Sequence, residues 1–560
     1  MTKKHIPVLV VGLLIVLVAL AGGAVYGINK LIPSRKQMDL TEYYGQNADG
    51  EAALILGTEK LEEKALISGE DVYLPLDVVN GYLNQRYYWD SENKKILYAT
   101  PSSLTEETAS DKADGNVWLK DDTVYLKLDY VKKYTDIDSY IEQDPARVAI
   151  QYKFTNVETV TTKKDTVIRY RGGIKAPILS KLAKNTVLRL MNEGEDWDQV
   201  ATDDGYIGYI QKKKVSAVDT TDYERDFKTE SYTYLTMDEP VNLAWHQVTS
   251  TDANSYFADA VQNMTGVNVI SPTWFSVTDN SGNISSLASG EYVMQAHEKG
   301  LKVWGLVDNF NENMSTTEVL SKTSSRQNLE NQLITYALKA GLDGINVDFE
   351  SLSEGVGIHF LQFLRELSIQ CHANNLVLSV DNPVPEDFTS HYDRAEQGKV
   401  VDYVIIMGYD EHYVGSDAGS VASLPWVEQG VKDTLSEVAA QRTILAIPFY
   451  TRLWTGSGDN ASSRAMGISE ATKWVSESGM DLTQQTISDN GAETYWDKKT
   501  SQNYGTYEGE GATYQIWLED SKSIAEKVKL IKKYKLAGVA EWKLGFENSG
   551  IWSVITENLS

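Results

Sequence analysis

The chain has 560 residues, of which 79 are Asp or Glu and 52 are Lys or Arg, so its formal net charge at pH 7 is −27. Its length suits about three or four domains, at roughly 100–200 residues each. The acidic balance argues against a nucleic-acid partner, because phosphate binding needs Lys and Arg on the contact face, and it permits a neutral substrate such as a sugar polymer. The single cysteine, Cys371, excludes an internal disulfide and a cysteine-based zinc site.

Residues 6–28 form an apolar stretch without a charged side chain. At ~1.5 Å of rise per residue, a helix of that length spans a hydrocarbon core of ~30 Å. Lys3 and Lys4 precede the stretch and favour an N-terminus left in the cytoplasm. The sequence therefore predicts a single-pass membrane anchor with the rest of the chain outside the cell. The alternative is a secreted protein whose signal peptide is cleaved at Ala19-Leu20-Ala21.

Residues 37–60 are polar and are interpreted as a stalk. Two similar passages follow, 71–83 and 123–135, and each begins with alternating apolar residues before it changes to helical spacing. They predict a short duplication within a small α+β module of residues 45–150, with 102–115 as the connecting loop. The module resembles the copper amine oxidase N-terminal-like domain of exported bacterial proteins. That name implies no copper chemistry, and we interpret the module, which contains no histidine, as a spacer.

Residues 160–216 contain short apolar-alternating runs separated by turn residues, which predicts an all-β domain. The domain resembles a bacterial SH3-like domain. The resemblance rests on the order in which these residues follow one another: Val167-Ile168-Arg169, Gly172-Gly173, Trp197, Val200 and the run 205–210. Such domains often bind cell-wall peptides, so the resemblance implies a wall-binding role, with a rigid spacer as the alternative. Residues 217–233 are charged, lack apolar periodicity and are interpreted as a linker.

Beyond residue 234 the pattern changes to eight strand-like runs, several of them apolar on both faces, as is typical of a buried parallel sheet. Eight strand-then-helix units predict an α/β fold, a (β/α)8 TIM barrel over residues 234–560. The longest gap, 455–520, follows the seventh run and predicts an inserted α+β lobe that forms one wall of a cleft. The runs are 241–248, 267–277, 302–309, 344–350, 376–382, 401–409, 443–450 and 536–545, with helical segments such as 325–341 and 359–375 between them.

The fourth run carries alternating polar and apolar residues. Successive side chains of a strand point to opposite faces, so Asn346, Asp348 and Glu350 share one face. The apolar face suits the outer helices, which predicts that the polar face points into the barrel with Glu350 nearest the mouth, where TIM-barrel active sites lie. Two adjacent buried carboxylates raise one another's pKa, which is how a protein obtains a general acid near neutral pH.

This run, with Asp343 before it, reads DGINVDFE and resembles the DGxDxDxE signature of glycoside hydrolase family 18, the chitinase-like enzymes. The match departs from the signature at Asn346, which stands in place of the middle Asp. Two further motifs agree with the resemblance. Residues 407–410 end the sixth run as an M-x-Y-D motif does, and Trp542 in the eighth run fits the tryptophan that floors the sugar site.

The resemblance implies a role for each matching residue. Glu350 would protonate the glycosidic oxygen, while the substrate's own 2-acetamido carbonyl attacks the anomeric carbon in place of a carboxylate nucleophile. Asp348 would orient the acetamido group and stabilise the oxazolinium that forms, and Tyr409 would donate a hydrogen bond to the acetamido oxygen. Asp410 would contact the sugar, with Trp542 stacked beneath it. The resemblance thus implies substrate-assisted hydrolysis with retention of configuration.

Other residues complete the predicted site. Asp343 and Asn346 are predicted to contact the substrate, and Trp274 and Trp245 are candidates for aromatic side chains in the cleft. Asn346 cannot ionise, so we expect an altered pH profile and a lower rate. The proposed chemistry needs no metal or other cofactor, and the seven histidines show no metal-ligand spacing.

The sequence therefore predicts an exported, membrane-anchored glycosidase that acts on β-1,4-linked polymers containing N-acetylglucosamine, as a chitinase-like enzyme or an N-acetylglucosaminidase. Peptidoglycan is favoured over chitin, because the SH3-like domain and the anchor both point to the cell wall. One alternative is a catalytically weak or inactive glycan-binding protein on the same barrel. Another is a structural surface protein whose barrel only displays the preceding modules. The sequence leaves endo and exo action open.

Overall fold

A computed structural model describes residues 10–18, 30–45, 47–456, 461–478, 496–509 and 511–559. The chain forms two compact units, one of residues up to 97 together with 106–229, and one of residues 230–560 together with the short segment 98–105. The predicted membrane segment 6–28 lies outside the described residues except for 10–18, which are helical. Among the helices described, none is both long and apolar enough to cross a membrane.

The N-terminal part of the first unit contains ten described strands, seven of them in one sheet and three in another. Its strands are β1 (Glu51–Leu56), β2 (Glu59–Ser68), β3 (Asp71–Pro75), β4 (Tyr87–Asp90), β5 (Lys95–Ala99), β6 (Leu104–Thr108), β7 (Val117–Lys120), β8 (Thr123–Lys127), β9 (Asp138–Gln143) and β10 (Ala146–Gln151). Its helices are α1 (Leu40–Tyr44), α2 (Leu76–Val78, followed by a π-helical turn Val79–Leu83) and α3 (Leu128–Tyr134). The seven-stranded sheet has the order β7-β8-β3-β2-β1-β10-β9, and the three-stranded sheet has the order β4-β5-β6.

The predicted duplication is confirmed in this sheet. Strand β3 leads into α2 and β8 leads into α3, and the two strands pair antiparallel with Tyr73 opposite Lys127. Two other predictions are wrong. Residues 37–60 are not a stalk, because they contain α1 and β1 and the apolar side chains from Ala52 to Leu56 are buried. The predicted loop 102–115 contains β6.

The C-terminal part of this unit is all-β and forms one sheet, as the sequence predicts for 160–216. Its strands are β11 (Val157–Thr161), β12 (Thr166–Arg169), β13 (Ile178–Leu182), β14 (Val187–Asn192), β15 (Trp197–Ala201), β16 (Ile207–Gln211) and β17 (Asp219–Thr221), in the order β13-β12-β16-β15-β14-β11-β17. Val160, Ile168, Leu188, Val200 and Ile210 form its apolar core. The last strand, β17, falls within the segment that was interpreted as a linker.

The second unit contains the predicted barrel. Its strands are β18 (Val241–His246), β19 (Val269–Val277), β20 (Ile284–Ser286), β21 (Lys302–Asp308), β22 (Gly344–Asp348), β23 (Val377–Pro383), β24 (Tyr403–Met407), β25 (Thr443–Pro448), β26 (Tyr450–Thr455), β27 (Ser462–Gly467), β28 (Trp496–Asp497), β29 (Gln502–Gly509), β30 (Ala512–Leu518) and β31 (Gly538–Trp542). Its helices are α4 (Phe257–Ala260), α5 (Gly290–Glu298), α6 (Thr316–Ser321), α7 (Thr323–Ala340), α8 (Gly357–Ala373), α9 (Arg394–Val400), α10 (Leu424–Leu435), α11 (Ile468–Ser478), α12 (Ser521–Tyr534) and α13 (Ile551–Leu559).

Eight of these strands close into a parallel barrel. Strand β18 pairs in parallel with both β31 and β19, and β21 to β25 complete the ring, so all eight predicted runs are confirmed as barrel strands. Alternation along the strands divides the apolar side chains into two layers. An inner cluster includes Leu243, Trp245 and Ile405, and an outer cluster between strands and helices includes Ala244, Val347 and Phe363.

The inserted lobe is present after the seventh barrel strand. It is a five-stranded sheet in the order β27-β26-β30-β29-β28, with α11 against it. It begins earlier than the predicted 455–520, because β25 ends at Pro448 and β26 begins at Tyr450. The predicted positions 457–460, 479–495 and 510 lie outside the described residues.

Candidate active site

The polar face of β22 points into the barrel. Asn346 is fully buried and Asp348 is 5% exposed, and Glu350 follows the strand and is half-buried. Parallel pairing sets Asp308 of β21 beside Asp348 and Ser379 of β23 beside Asn346. The carboxyl ends of three neighbouring strands therefore bring their polar side chains to one place.

Asn346 uses its whole hydrogen-bonding capacity inside the barrel. Its Oδ1 accepts from Trp245 Nε1 at 2.8 Å and from Ser271 Oγ at 3.3 Å. Its Nδ2 donates to Ser379 Oγ at 3.0 Å and to Asp381 Oδ1 at 2.9 Å. A tryptophan N–H can only donate, so the amide oxygen must face Trp245 and the amide nitrogen must face Asp381. Asn346 is thus a structural link between four strands and has no group left for a substrate, which corrects its prediction as a substrate contact.

Asp348 is held without compensation for its charge. Its Oδ1 is buried and has no hydrogen-bond partner among the described residues. Burial raises its pKa well above the usual value, and the neighbouring Asp381, Glu350 and Asp308 raise it further. Asp381 is itself 2% exposed, and burial raises its pKa as well. Both carboxyls therefore hold a proton more strongly than an exposed aspartic acid does.

Glu350 is fixed through its backbone by Asn309, the residue after β21. The Glu350 N–H donates to Asn309 Oδ1 at 2.9 Å, and Asn309 Nδ2 donates to the Glu350 carbonyl oxygen at 3.0 Å. Burial raises the pKa of the Glu350 carboxyl, and Asp410 and Asp308 raise it further. A half-buried carboxyl with a raised pKa at the mouth of the barrel is suited to act as a general acid.

Tyr409 and Asp410 follow β24, two strands along the barrel from β22. Burial raises the pKa of the Tyr409 hydroxyl, and Tyr450, Asp348 and Asp381 raise it further, so this hydroxyl stays protonated and can donate. Asp410 has φ 64° and accepts a hydrogen bond from Tyr450 Oη at 2.6 Å. Arg452 lies 4.0 Å from the same carboxylate. Tyr450 and Arg452 belong to β26, so the inserted lobe supplies this side of the site.

Trp542 ends β31 and is partly exposed at the mouth. Its ring meets the buried ring of Trp245 edge to face, with centroids 5.9 Å apart. Trp245 is only 1% exposed and donates to Asn346, so it supports the site from below and does not line a cleft, contrary to its prediction.

Asp343 lies at the other end of β22, which corrects its prediction as a substrate contact. Glu350 lies seven residues further along the chain, which at ~3.3 Å per extended residue places it up to ~23 Å away. Its carboxylate accepts from the backbone N–H of Val303 at 2.9 Å and lies 2.9 Å from Lys302 Nζ and 2.8 Å from His297 Nε2. The next residue is Gly344, and a side chain would not fit there, because a Cβ would stand 2.7 Å from the Val377 carbonyl oxygen.

Trp274 is also away from the mouth. It is 1% exposed, its Nε1 donates to Asn254 Oδ1 at 2.9 Å, and its ring packs 4.9 Å from Tyr292 of α5. It belongs to the outer layer between the strands and the helices. Burial there excludes contact with a substrate in the barrel mouth.

The prediction missed four residues that build the site: Asp308, Asn309, Asp381 and Tyr450. Asp381 could have been found by the argument used for β22, because Ser379 and Asp381 alternate with apolar residues along an otherwise buried run. Asp308 shares one face of the third run with Trp304 and Leu306, and Asn309 comes directly after it. Among the described residues no group of His, Cys, Asp and Glu is arranged to hold a metal ion.

The sequence profile described as glycosyl hydrolases family 18 matches residues 205–547. The chain belongs to this family. It is therefore a glycoside hydrolase. The profile begins before residue 234, where the strand pattern predicts the start of the barrel.

Relatives agree with the family assignment. An "uncharacterized glycosylase YvbX" of Bacillus subtilis (strain 168) is 27% identical over 303 residues, 52% of this chain and 84% of that protein. A "cortical fragment-lytic enzyme" of the same organism is 25% identical over 249 residues, 43% of this chain and 56% of that protein, so only about half of that relative is matched. The crystal structure of the spore cortex-lytic enzyme SleL of Bacillus cereus superimposes with a TM-score of 0.51 at 18% identity, over 61% of this chain and 77% of that one, which shows a common fold.

Proposed function

We propose that this family 18 enzyme cleaves the β-1,4 bond after an N-acetylglucosamine unit, with the substrate's own acetamido oxygen as nucleophile and with net retention. The observation that carries this proposal is the position of Asp348 at the end of β22 and of Glu350 two residues later, on the same inward side of the chain. A retaining pair of carboxyls stands on opposite sides of the sugar, ~5–5.5 Å apart, and an inverting pair ~6.5–9.5 Å apart. Asp348 approaches from the same side as Glu350, so the attacking group must come from elsewhere.

Each of the three side chains has a separate role in the reaction. Glu350 donates its proton to the glycosidic oxygen as that bond breaks, while the acetamido oxygen forms a bond to the anomeric carbon. Tyr409 donates a hydrogen bond to that oxygen. The Asp348 carboxylate accepts the acetamido N–H and stabilises the positive charge of the oxazolinium. Glu350, now ionised, then takes a proton from the water that opens the ring, which restores the starting state.

Peptidoglycan is the substrate we favour over chitin. Relatives named for lysis of the bacterial spore cortex support a bacterial wall glycan, although other relatives are named as chitinases. Initial rates of the full chain on purified peptidoglycan and on N-acetylglucosamine oligomers would separate the two. Faster release from the oligomers at equal concentrations of N-acetylglucosamine units would favour chitin.

The experiment that tests the hydrolytic mechanism is a matched pair of substitutions. Glu350→Gln keeps the shape of the general acid but removes its proton, so we expect turnover of a fluorogenic N-acetylglucosamine oligomer to fall at least ~10²-fold. Glu354→Gln makes the same change four residues along the chain on an exposed side chain and should retain wild-type turnover. Near-normal turnover of Glu350→Gln would instead favour the second candidate, a barrel that binds glycan without hydrolysing it.

We propose further that the SH3-like domain (residues 160–216) attaches the enzyme to wall peptides and that residues 6–28 anchor it in the membrane. A cleft of about 670 Å³ between this domain and residues 32–35 supports wall binding. Arg35, Arg169, Lys181 and Lys214 line it, with Asp165 as the acid among them. Burial lowers the pKa of Lys214, and the nearby Lys164, Arg169 and Lys213 lower it further, so several cations lie close together in an otherwise acidic chain. Such a cleft suits the carboxylates of a wall peptide.

Sedimentation of the full chain with purified walls tests this attachment. The Glu350→Gln background prevents digestion of the walls during the measurement. Adding Lys181→Glu and Lys214→Glu should release most of the bound protein, whereas Lys299→Glu with Lys112→Glu, an equal change of charge elsewhere, should not. Equal retention of both double variants would leave the domain as a spacer. For the anchor, we expect extraction from cell membranes by detergent and not by high salt.

A further inference from the structure

Residues 32–38 are hydrogen-bonded along the edge of the sheet formed by β11 to β17. Lys175 Nζ donates to the Ile32 carbonyl oxygen at 2.7 Å. Gln37 pairs in parallel with Ile178 of β13, whose backbone bonds to the segment on either side of Gln37 at 2.8 Å and 2.7 Å. The chain that follows the apolar stretch is therefore fixed to this sheet and extends its edge.

This attachment limits the distance between the sheet and the end of the apolar stretch. The stretch ends at residue 28, and the four residues from there to Ile32 span at most ~14 Å at ~3.6 Å each. Leu31 is 76% exposed and Ile32 is 50% exposed. Exposed apolar side chains next to a membrane segment are suited to the boundary between lipid headgroups and acyl chains. If residues 6–28 cross a membrane, this edge of the sheet lies close to the headgroups.

Three turns of the same sheet carry a concentration of lysine. The turns contain six lysines and one acid, Asp165. Their backbones are hydrogen-bonded to one another at 2.8–2.9 Å, and each turn contributes a residue to the cleft that residues 32–35 also line. The lysines therefore lie where the chain arrives from the apolar stretch. The turns are 162–165, 183–186 and 212–215.

Four of the six lysines form an exposed positive surface. Lys212 pairs with Glu193, and Lys214 lines the cleft. The other four are exposed, and in the described part of the chain no acid lies within ion-pairing distance of them. We call these four residues the lysine cluster: Lys163, Lys164, Lys184 and Lys213.

We propose that the lysine cluster binds the anionic phosphate headgroups of the membrane that residues 6–28 enter, so that this end of the sheet stands on the membrane surface. The inference goes beyond the proposed wall attachment, which uses other cations, and it rests on the proposed anchor. Each lysine close to an anionic lipid surface strengthens binding by about fivefold. An acidic chain with a net charge of −27 is otherwise repelled by such a surface, so the cluster also fixes which side of the first unit faces the lipid.

The test uses a spin label at Ala183→Cys in the full chain, reconstituted into lipid vesicles. Ala183 is exposed beside Lys184, and Cys371 is fully buried, so the label attaches to the new thiol. We expect collisions with a neutral, water-soluble nickel complex to be at least ~3-fold slower in vesicles of equal parts phosphatidylcholine and phosphatidylglycerol than in phosphatidylcholine alone. Salt at about 1 M should remove the difference, because it shortens the Debye length to ~3 Å. The matched control is Thr123→Cys, an exposed position on β8, whose label should collide equally often in both kinds of vesicle.

Charge removal separates the lysine cluster from the rest of the surface. Changing all four of its lysines to Gln should abolish the difference between the two lipids at Ala183→Cys. The same change at four other exposed lysines should preserve it, and these are Lys112, Lys299, Lys339 and Lys498.

The outcomes also separate this inference from the proposed anchor. If the chain floats with both kinds of vesicle but the label collides equally often in each, the anchor stands and only this inference fails. A lipid difference that persists without the four lysines would also overturn it. If the chain floats with neither kind of vesicle, the anchor and the inference fail together.

Discussion

The two ends of β22 carry the same kind of side chain in opposite surroundings. At the amino end, Asp343 receives a backbone N–H and lies beside Lys302 and His297. At the carboxyl end, Asp348 has a buried oxygen that finds no hydrogen-bond partner in the described part of the chain, and three acids raise its pKa. Both belong to one eight-residue motif, yet the first stabilises the barrel and the second is poised for chemistry. The partners of a carboxylate, more than its place in a motif, decide its role.

A second aspartate, two strands further along the barrel, makes the same kind of contact as Asp343. Asp402, just before β24, accepts from the N–H groups of Leu378 at 2.8 Å and Leu235 at 2.7 Å, with His372 at 3.0 Å. Aspartates that precede barrel strands thus join neighbouring segments at the amino end of the barrel. Acids that follow or end the strands gather at the mouth, where they repel one another. This separation of roles is what TIM barrels generally show.

The largest effect should come from the carboxyl end. Asp348→Asn removes the group that stabilises the oxazolinium, so we expect kcat to fall by about 10²-fold, as when one preorganised stabilising group is lost. Binding of an N-acetylglucosamine oligomer should persist, because Asp348 acts mainly on the intermediate. Calorimetry for binding and a fluorogenic assay for turnover check this. Unchanged turnover would mean that Asp348 has no part in the reaction.

At the amino end we expect a loss of stability with catalysis preserved. Asp343→Ala leaves the buried N–H of Val303 without an acceptor, which costs about 1–3 kcal/mol of unfolding free energy. Urea denaturation measures that cost, and kcat of the folded variant should stay within twofold of wild type. A large drop in kcat with normal stability would restore Asp343 to the substrate site.

The smallest expected effect is a pH-dependent change in the melting temperature when Asp348 is replaced. The pKa of Asp348 is raised in the folded state, so its ionisation destabilises the fold as pH rises above the unfolded value of about 3.9. Asp348→Asn should therefore raise the melting temperature at pH 8, and the gain should shrink towards zero as pH falls through 4. Scanning calorimetry at several pH values measures it. A lower melting temperature at pH 8 would show that the carboxylate is compensated after all.

Sequence reasoning succeeded where periodicity decides the outcome. Apolar runs identified every barrel strand, and alternation along β22 oriented Asp348 and Glu350 inward. The prediction for Asp343 was wrong, because treating residues 343–350 as a single motif hides the fact that its two ends lie up to ~23 Å apart. Sequence reasoning also failed for Trp274, since a tryptophan on a buried strand can pack outward as well as inward. It overlooked Asp381 and Tyr450, whose importance comes from long-range pairing of β23 with β22 and from a lobe that folds back over the mouth.

The central step of the proposed mechanism is attack by the substrate's own acetamido group on the anomeric carbon. Proton NMR of the reducing end, recorded during the first minutes of hydrolysis of an N-acetylglucosamine oligomer, tests this directly. The substrate-assisted mechanism predicts net retention, so the β-anomer should form first. It also predicts that glucose oligomers, which lack the acetamido group, give no signal from new reducing ends. An α-anomer as the first product, or efficient cleavage of a glucose oligomer, would contradict the mechanism even if Glu350 proved essential.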